Sequence, residues 1–191
     1  MHHRTVVLAA AACVLALAST HESAAQGQPA GTQQAAQQQS ARDMPSVLSV
    51  LSGSTDLGLF AVLVEMAGPP EIFLDGQPKT VFAPSDEVLI REFDAYMGDA
   101  SGEIYASRLK KLVLAHVLTE QYSRDDIAYN LGEGGRRENF AAASGDALTV
   151  MRVGDTLRVY DESRQSLVLG AETVAEDGVI HRLTEGMIKP R

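Results

Sequence analysis

The sequence predicts an α+β domain, with helices gathered in the first half of the folded region and strands in the second. Three observations carry this reading. Leucines, valines and aromatics recur at helical spacing through much of residues 45–118. From Leu148 onward the pattern changes to two-residue alternation. The alternating runs are separated by turn pairs, Gly154–Asp155 and Asp177–Gly178. A chain of 191 residues, 45% hydrophobic and 21% charged, suits one or at most two compact domains rather than a disordered or coiled-coil chain.

Residues 1–25 read as a secretory signal peptide: Arg4 precedes the apolar run TVVLAAAACVLALA, and the small residues Ser23, Ala24 and Ala25 follow. The run is too short to cross about 30 Å of hydrocarbon, and no other uninterrupted apolar stretch is longer, so the mature chain is expected to lack a transmembrane segment. Cleavage is expected after Ala25, with Ala16 and Ala18 offering a second site. Cys13, the one cysteine, lies in that run. Its acylation as a lipoprotein is disfavoured, because AAA precedes it and the apolar run continues beyond it. A mature chain without Cys13 has no thiol, disulfide or cysteine metal ligand. Residues 26–43 are rich in Gln and Ala and read as a flexible tether. The folded domain is expected over 44–191. Arg4 and Glu22 cancel in the leader, so the mature chain keeps the net charge of -9, which argues against nucleic acid or anionic lipid as a partner.

The elements follow in order. Helical spacing predicts a short helix over 45–51 and a second over 55–67, with Ser54 or Thr55 as its N-cap and Gly68–Pro69 as its stop. EIFLDGQPKTVFA reads as a strand or loop, a turn at Asp75–Gly76 and a strand at 79–83. A helix is predicted over 86–96 and another over 102–118, on which Tyr105, Leu109, Leu112 and His116 form one inward stripe. The Gly-rich stretch 131–145 reads as a surface loop. LTVMRV and TLRVYD then form a hairpin, and SLVLG, AETVA and VIHRLTEGMIKP supply three further extended runs.

Chemistry is sparse. Ser85 sits where a strand feeds a helix, the place of a hydrolase nucleophile. A nucleophile elbow, however, needs small residues on both sides, whereas Ala83, Pro84, Asp86 and Glu87 flank it here. The better reading is a joint: Pro84 ends the strand, the Ser85 hydroxyl caps the helix, and Asp86 and Glu87 sit at its positive end. His116 and His181 are the only histidines after the leader, with no third nitrogen ligand or H-E-x-x-H spacing, so they read as buried structural residues and no metal is expected. The acidic pairs Asp125–Asp126, Asp161–Glu162 and Glu176–Asp177 lie at predicted turns and match no calcium loop. GEGGRR lacks the Lys-Ser/Thr of a phosphate loop, which leaves Arg136 and Arg137 as an exposed basic spot and a candidate partner contact.

Three ordered stretches, TVFAPSDEVL, LVLAHVLTEQYS and DGVIHRLTEGMIKP, resemble those of a fasciclin-like domain. The opening motif is matched by Thr80, Val81, Phe82, Ala83, Pro84, Ser85 and Asp86. A helix ending in a His before a short strand is matched by His116, Val117 and Leu118. The closing strand is matched by Gly178, Val179, Ile180 and His181, followed by Met187, Ile188 and Pro190. The resemblance implies a wedge of two β-sheets flanked by helices, on a secreted or surface-tethered protein that works by adhesion or protein binding rather than catalysis. Together with the leader and the glutamine-rich tether, it leads to the expectation of a secreted or periplasmic protein that contacts a protein or glycan. It implies no cofactor, and these motif residues are implied to be mainly structural. It also allows a second role, as a carrier of an apolar small molecule such as a lipid or carotenoid.

The chain departs from animal members at the motifs associated with integrin adhesion. Ala115 replaces the Tyr of a Tyr-His pair, Glu172 and Thr173 stand for an Asp-Ile pair, and no Arg-Gly-Asp occurs. Integrin binding through those motifs is therefore not expected.

Overall fold

The computed structural model describes residues 44–132 and 137–191. The expected signal peptide, the whole of the expected tether, and Arg136 lie outside the described residues. No helix among the described residues is long and apolar enough to cross a membrane.

Helix α1 spans Val47–Gly53 and is capped by Ser46, whose hydroxyl accepts from the Ser49 N–H at 3.3 Å. Ser54, expected to start the next helix, instead ends this one, donating its hydroxyl to the Val50 carbonyl at 2.6 Å. Helix α2, Gly58–Met66, therefore begins later than the spacing indicated. A single 3-10 turn, Glu71–Phe73, replaces the expected strand or loop and buries Phe73. Strand β1 follows at Lys79–Pro84 and helix α3 at Asp86–Met97.

Helix α4, Gly102–Ala115, stops short of the expected Leu118. His116 is its C-cap, and Val117–Leu118 form strand β2, paired antiparallel with β1 through Thr80↔Leu118 and Val81↔Val117. Sheet pairing outweighs helical spacing there. Helix α5, Arg124–Leu131, was not anticipated: Ser123 and Asp126 make a reciprocal capping box, and the expected turn acids Asp125 and Asp126 fill its first turn. The expected loop over 131–145 contains strand β3, Arg137–Ala141, paired along its length with β4, Ala147–Val153. Strands β4 and β5 (Thr156–Tyr160) form the expected hairpin. SLVLG and AETVA are one strand, β6 (Ser166–Ala175), and β7 spans Gly178–Leu183.

The strands run in the order β2-β1-β7-β6-β5-β4-β3. All neighbours are antiparallel except β1 and β7. Strand β6 belongs to both halves: Leu167 and Val168 pair with β5, and the stretch from Leu169 to Ala175 pairs with β7 across an irregularity between Leu169 and Glu172. The two edges of the ladder meet at one corner, where Leu118 bridges Ala142 and the Ala143 N–H donates to the Val117 carbonyl at 2.8 Å.

Two cores result. Phe60, Val64, Val88, Leu109 and Leu112 from the helices meet Val81, Ala83 and Ile180 on one side of the β1–β7 pair. Phe82, Phe140, Leu148, Val159, Leu167 and Leu183 fill the interior of the wedge, which Ile127 and Leu131 of α5 plug. A strand covered on both faces needs an unbroken apolar run, and this is why TVFA and GVI do not alternate.

Candidate functional site

The parallel pairing of β1 and β7 brings the first and last motifs side by side, with Phe82 opposite His181 and Val81 opposite Ile180. Their rings stack at a centroid distance of 5.7 Å and an interplanar angle of 26°. His181 is fully buried, and its Nε2 donates to the Tyr122 carbonyl at 2.8 Å, while Nδ1 lies 3.8 Å from Glu172 Oε2. Burial holds its pKa below the usual histidine value, against the pull of Tyr122 and Glu172.

His116 is also fully buried. Its Nδ1–H donates to the Leu112 carbonyl at 2.8 Å, and its Nε2 accepts the Ile188 N–H at 3.0 Å. That arrangement requires the neutral ring, and burial pushes its pKa down to about 4. The imidazole splices the end of α4 to the C-terminal segment, and Phe60 packs against it at 5.4 Å.

The hydroxyl of Ser85 accepts from the Val88 N–H at 3.4 Å, and Ser85 N–H donates to the Leu183 carbonyl at 2.9 Å. Both nitrogens that could serve a nucleophile in His116 are committed elsewhere, and His181 bonds Tyr122. Asp86 has a role that periodicity does not suggest: its Oδ1 accepts the Leu59 N–H at 2.9 Å, and its own N–H donates to the Asp56 carbonyl at 2.9 Å. It thus caps α2 from the first turn of α3. Thr80 donates its hydroxyl to the Glu120 carbonyl at 2.7 Å and accepts the Tyr122 N–H at 2.8 Å. Ala83 and Val179 are buried, and Pro84 closes β1. A Cβ on Gly178 would lie 2.3 Å from the Lys79 carbonyl oxygen, so the close β1–β7 approach requires glycine. Arg137 is exposed on β3.

The hinge that Asp86 makes between α2 and α3 positions the main exposed apolar surface. Leu59, Val62, Leu63 and Met66 of α2 face Leu89, Ile90 and Phe93 of α3 across an open groove of about 380 Å³, with Asp94 at its rim. Val62 is 46% exposed, Met66 57% and Ile90 75%, values that leave large aliphatic side chains without a covering element among the described residues. The helical spacing of these residues was legible. Their exposure was not, since amphipathic spacing alone assigns such a stripe to a core. A larger depression of about 660 Å³ lies between α3 and α4, but its cations are committed: Arg108 donates to the Met97 carbonyl at 2.8 Å and Lys111 pairs with Asp146 at 3.7 Å.

Comparison with curated proteins finds no significant match. Among solved structures, the chain is similar to a FAS1 domain pair from the insect cell adhesion molecule Fasciclin I, with a TM-score of 0.54 and 14% identity. The match covers 70% of this chain and 45% of that one, so the chain spans less than half the length of that neighbour. At this identity the likeness concerns the fold. The description of the Fasciclin domain as a sequence family matches residues 55–189, which include the first two motifs, the third up to Lys189, both buried histidines and the α2–α3 groove, and the chain belongs to the fasciclin domain family.

Proposed function

We propose that this protein is a secreted or periplasmic, non-catalytic interaction module that binds a protein or glycan at the cell surface or matrix. The observation that carries this reading is the α2–α3 groove. Leu59, Val62, Met66 and Ile90 present aliphatic side chains to solvent there without convergent polar groups, the surface chemistry of a protein contact rather than of a reaction centre. The motif residues that could have done chemistry are occupied in holding the fold. An aliphatic lining favours protein over glycan, because sugars need hydrogen-bonding partners that the groove does not offer.

A second reading, a carrier for an apolar small molecule, is favoured by the same lining, which would shelter an acyl or polyene chain. The two are separated by capture on the immobilised chain from envelope and culture fluid of the source organism, followed by mass spectrometry of proteins and extracted lipids. A reproducible protein partner supports the interaction module. A lipid or pigment recovered without one supports the carrier.

A further inference from the structure

The α2–α3 groove carries a charge pattern as well as an apolar one. On α3, Glu87 stands three residues before Ile90 and Asp94 four after it, so both acids flank its side chain on one helix face. On α2, Glu65 follows Val62 by three residues and borders Met66. All three acids are exposed, and none forms an ion pair among the described residues. No lysine or arginine lies on α2, and the cation of α3, Arg91, donates to the Glu185 carbonyl at 2.8 Å and to Glu92 at 3.0 Å. The aliphatic surface is thus bordered by uncompensated negative charge.

The walls also select the form of an occupant. Both are sides of helices, whose backbone groups bond internally, so an extended segment would find no partners there for its own N–H and C=O groups. A helix brings those bonds with it. From Leu59 to Met66 the wall runs for about 10 Å, two helical turns, which is the length of a stripe at i, i+3 or i+4 and i+7 on a facing helix. The expected tether does not suit the groove, since residues 26–43 contain no Leu, Ile, Val, Met or aromatic side chain to fill it. Two copies joined groove to groove would set the same unpaired acids against one another. The rim likewise repels the carboxylate or phosphate head of an anionic amphiphile.

Building on the interaction-module reading, we propose that the groove takes an amphipathic α-helix of a partner protein whose aliphatic stripe is flanked by Lys or Arg. The stripe fills the space between α2 and α3, and the basic flanks meet Glu65, Glu87 and Asp94 at the rim. Exposed pairs of this kind add selectivity for basic over acidic helices and speed association more than they add affinity.

The test is titration of the isotopically labelled protein with a helical peptide of about 18 residues, five turns, carrying a Leu/Ile stripe and Lys flanks, beside the same stripe with Glu flanks. Saturable amide shifts confined to α2 and α3 are expected for the Lys peptide, with about tenfold weaker binding of the Glu peptide. Glu65→Lys/Asp94→Lys is expected to reverse that preference at unchanged melting temperature, because both positions are exposed near the C-terminal ends of their helices, where a cation suits the helix dipole. Asp155→Lys, on the exposed turn between β4 and β5, is the control for net charge and is expected to leave the preference unchanged. Equal binding of both peptides would overturn the basic partner helix while leaving the groove a docking surface. Absence of shifts in α2 and α3, or shifts there that grow with protein concentration alone and so mark a second copy, would also overturn it. Capture of a native partner is a separate readout, so failure of the peptide titration and failure of the interaction-module reading are distinguishable.

Discussion

Lys79 and Asp177 form an ion pair at 2.9 Å in which the lysine side chain is 1% exposed. The other Asp177 oxygen accepts the Val47 N–H at 2.7 Å, and Lys79 Nζ also donates to the Asp177 carbonyl at 3.3 Å. One carboxylate thereby fastens the start of α1 and the start of β1 to the turn between β6 and β7. Asp177→Ala leaves the buried ammonium with only the more distant Asp75 carboxylate, at 3.6 Å, and is expected to cost about 3 kcal/mol in urea denaturation. The double variant Lys79→Met/Asp177→Ala is expected to recover part of that loss, since no charge is then left buried. Additive losses in the double-mutant cycle would show that the pair is not coupled.

His116 makes stability depend on acidity. Its folded pKa of about 4 lies below the ordinary 6.5, so the unfolded chain binds more protons between those values. The contribution of the neutral ring is fully present above 6.5 and is lost as pH falls towards 4. Burial shifts His181 in the same direction. Melting temperature is therefore expected to fall between pH 6.5 and 4, and His116→Asn, which cannot titrate, should flatten part of that slope while lowering stability at neutral pH by about 1–3 kcal/mol through imperfect replacement of two hydrogen bonds.

Gly178→Ala forces a Cβ against the Lys79 carbonyl, where the intact chain leaves 2.3 Å. The backbone of β1 or β7 must shift, and an overpacking loss of about 1–3 kcal/mol is expected by thermal or chemical denaturation. Gly53→Ala, with open space around the added methyl, serves as the control.

Asp86→Ala removes the acceptor for the Leu59 N–H and loosens the start of α2. A loss of about 0.5–2 kcal/mol is expected, as for other helix caps. Proton exchange should quicken at Leu59 more than in the interior of α3, and uniform quickening in both helices would count against this role.

Much of the architecture could be read from residue order. The Ser85 joint, the hairpin from Ala147 to Tyr160 and the buried setting of both histidines follow from local chemistry: an N-cap, two-residue alternation with a Gly-Asp turn, and a polar ring in apolar company. Features set by distant partners were not legible. The predicted α4 ran on to Leu118 because Val117 and Leu118 continue an apolar pattern, and only pairing with β1 makes them a strand. Strand β3 hid in a Gly- and Ala-rich stretch of weak strand preference, and its partner β4 supplies the order. Helix α5 is short and polar, and the Ser123–Asp126 box was its one local signal. Lys79 carried no sign of burial, since its carboxylate lies 98 positions away. The groove between α2 and α3 was likewise not legible, because helical spacing gives the two helices but not which apolar residues stay uncovered.

The central claim is that the protein acts by contact through the α2–α3 groove. The most direct measurement is capture from envelope and culture fluid with the intact chain beside a Val62→Lys/Ile90→Lys variant, with melting curves of both. Both positions are exposed, so stability is expected to stay within about 0.5 kcal/mol per substitution. The account predicts that a protein partner held by the intact chain is lost from the variant at unchanged melting temperature. Equal capture by both, or recovery of a lipid or pigment with no protein partner, would contradict it.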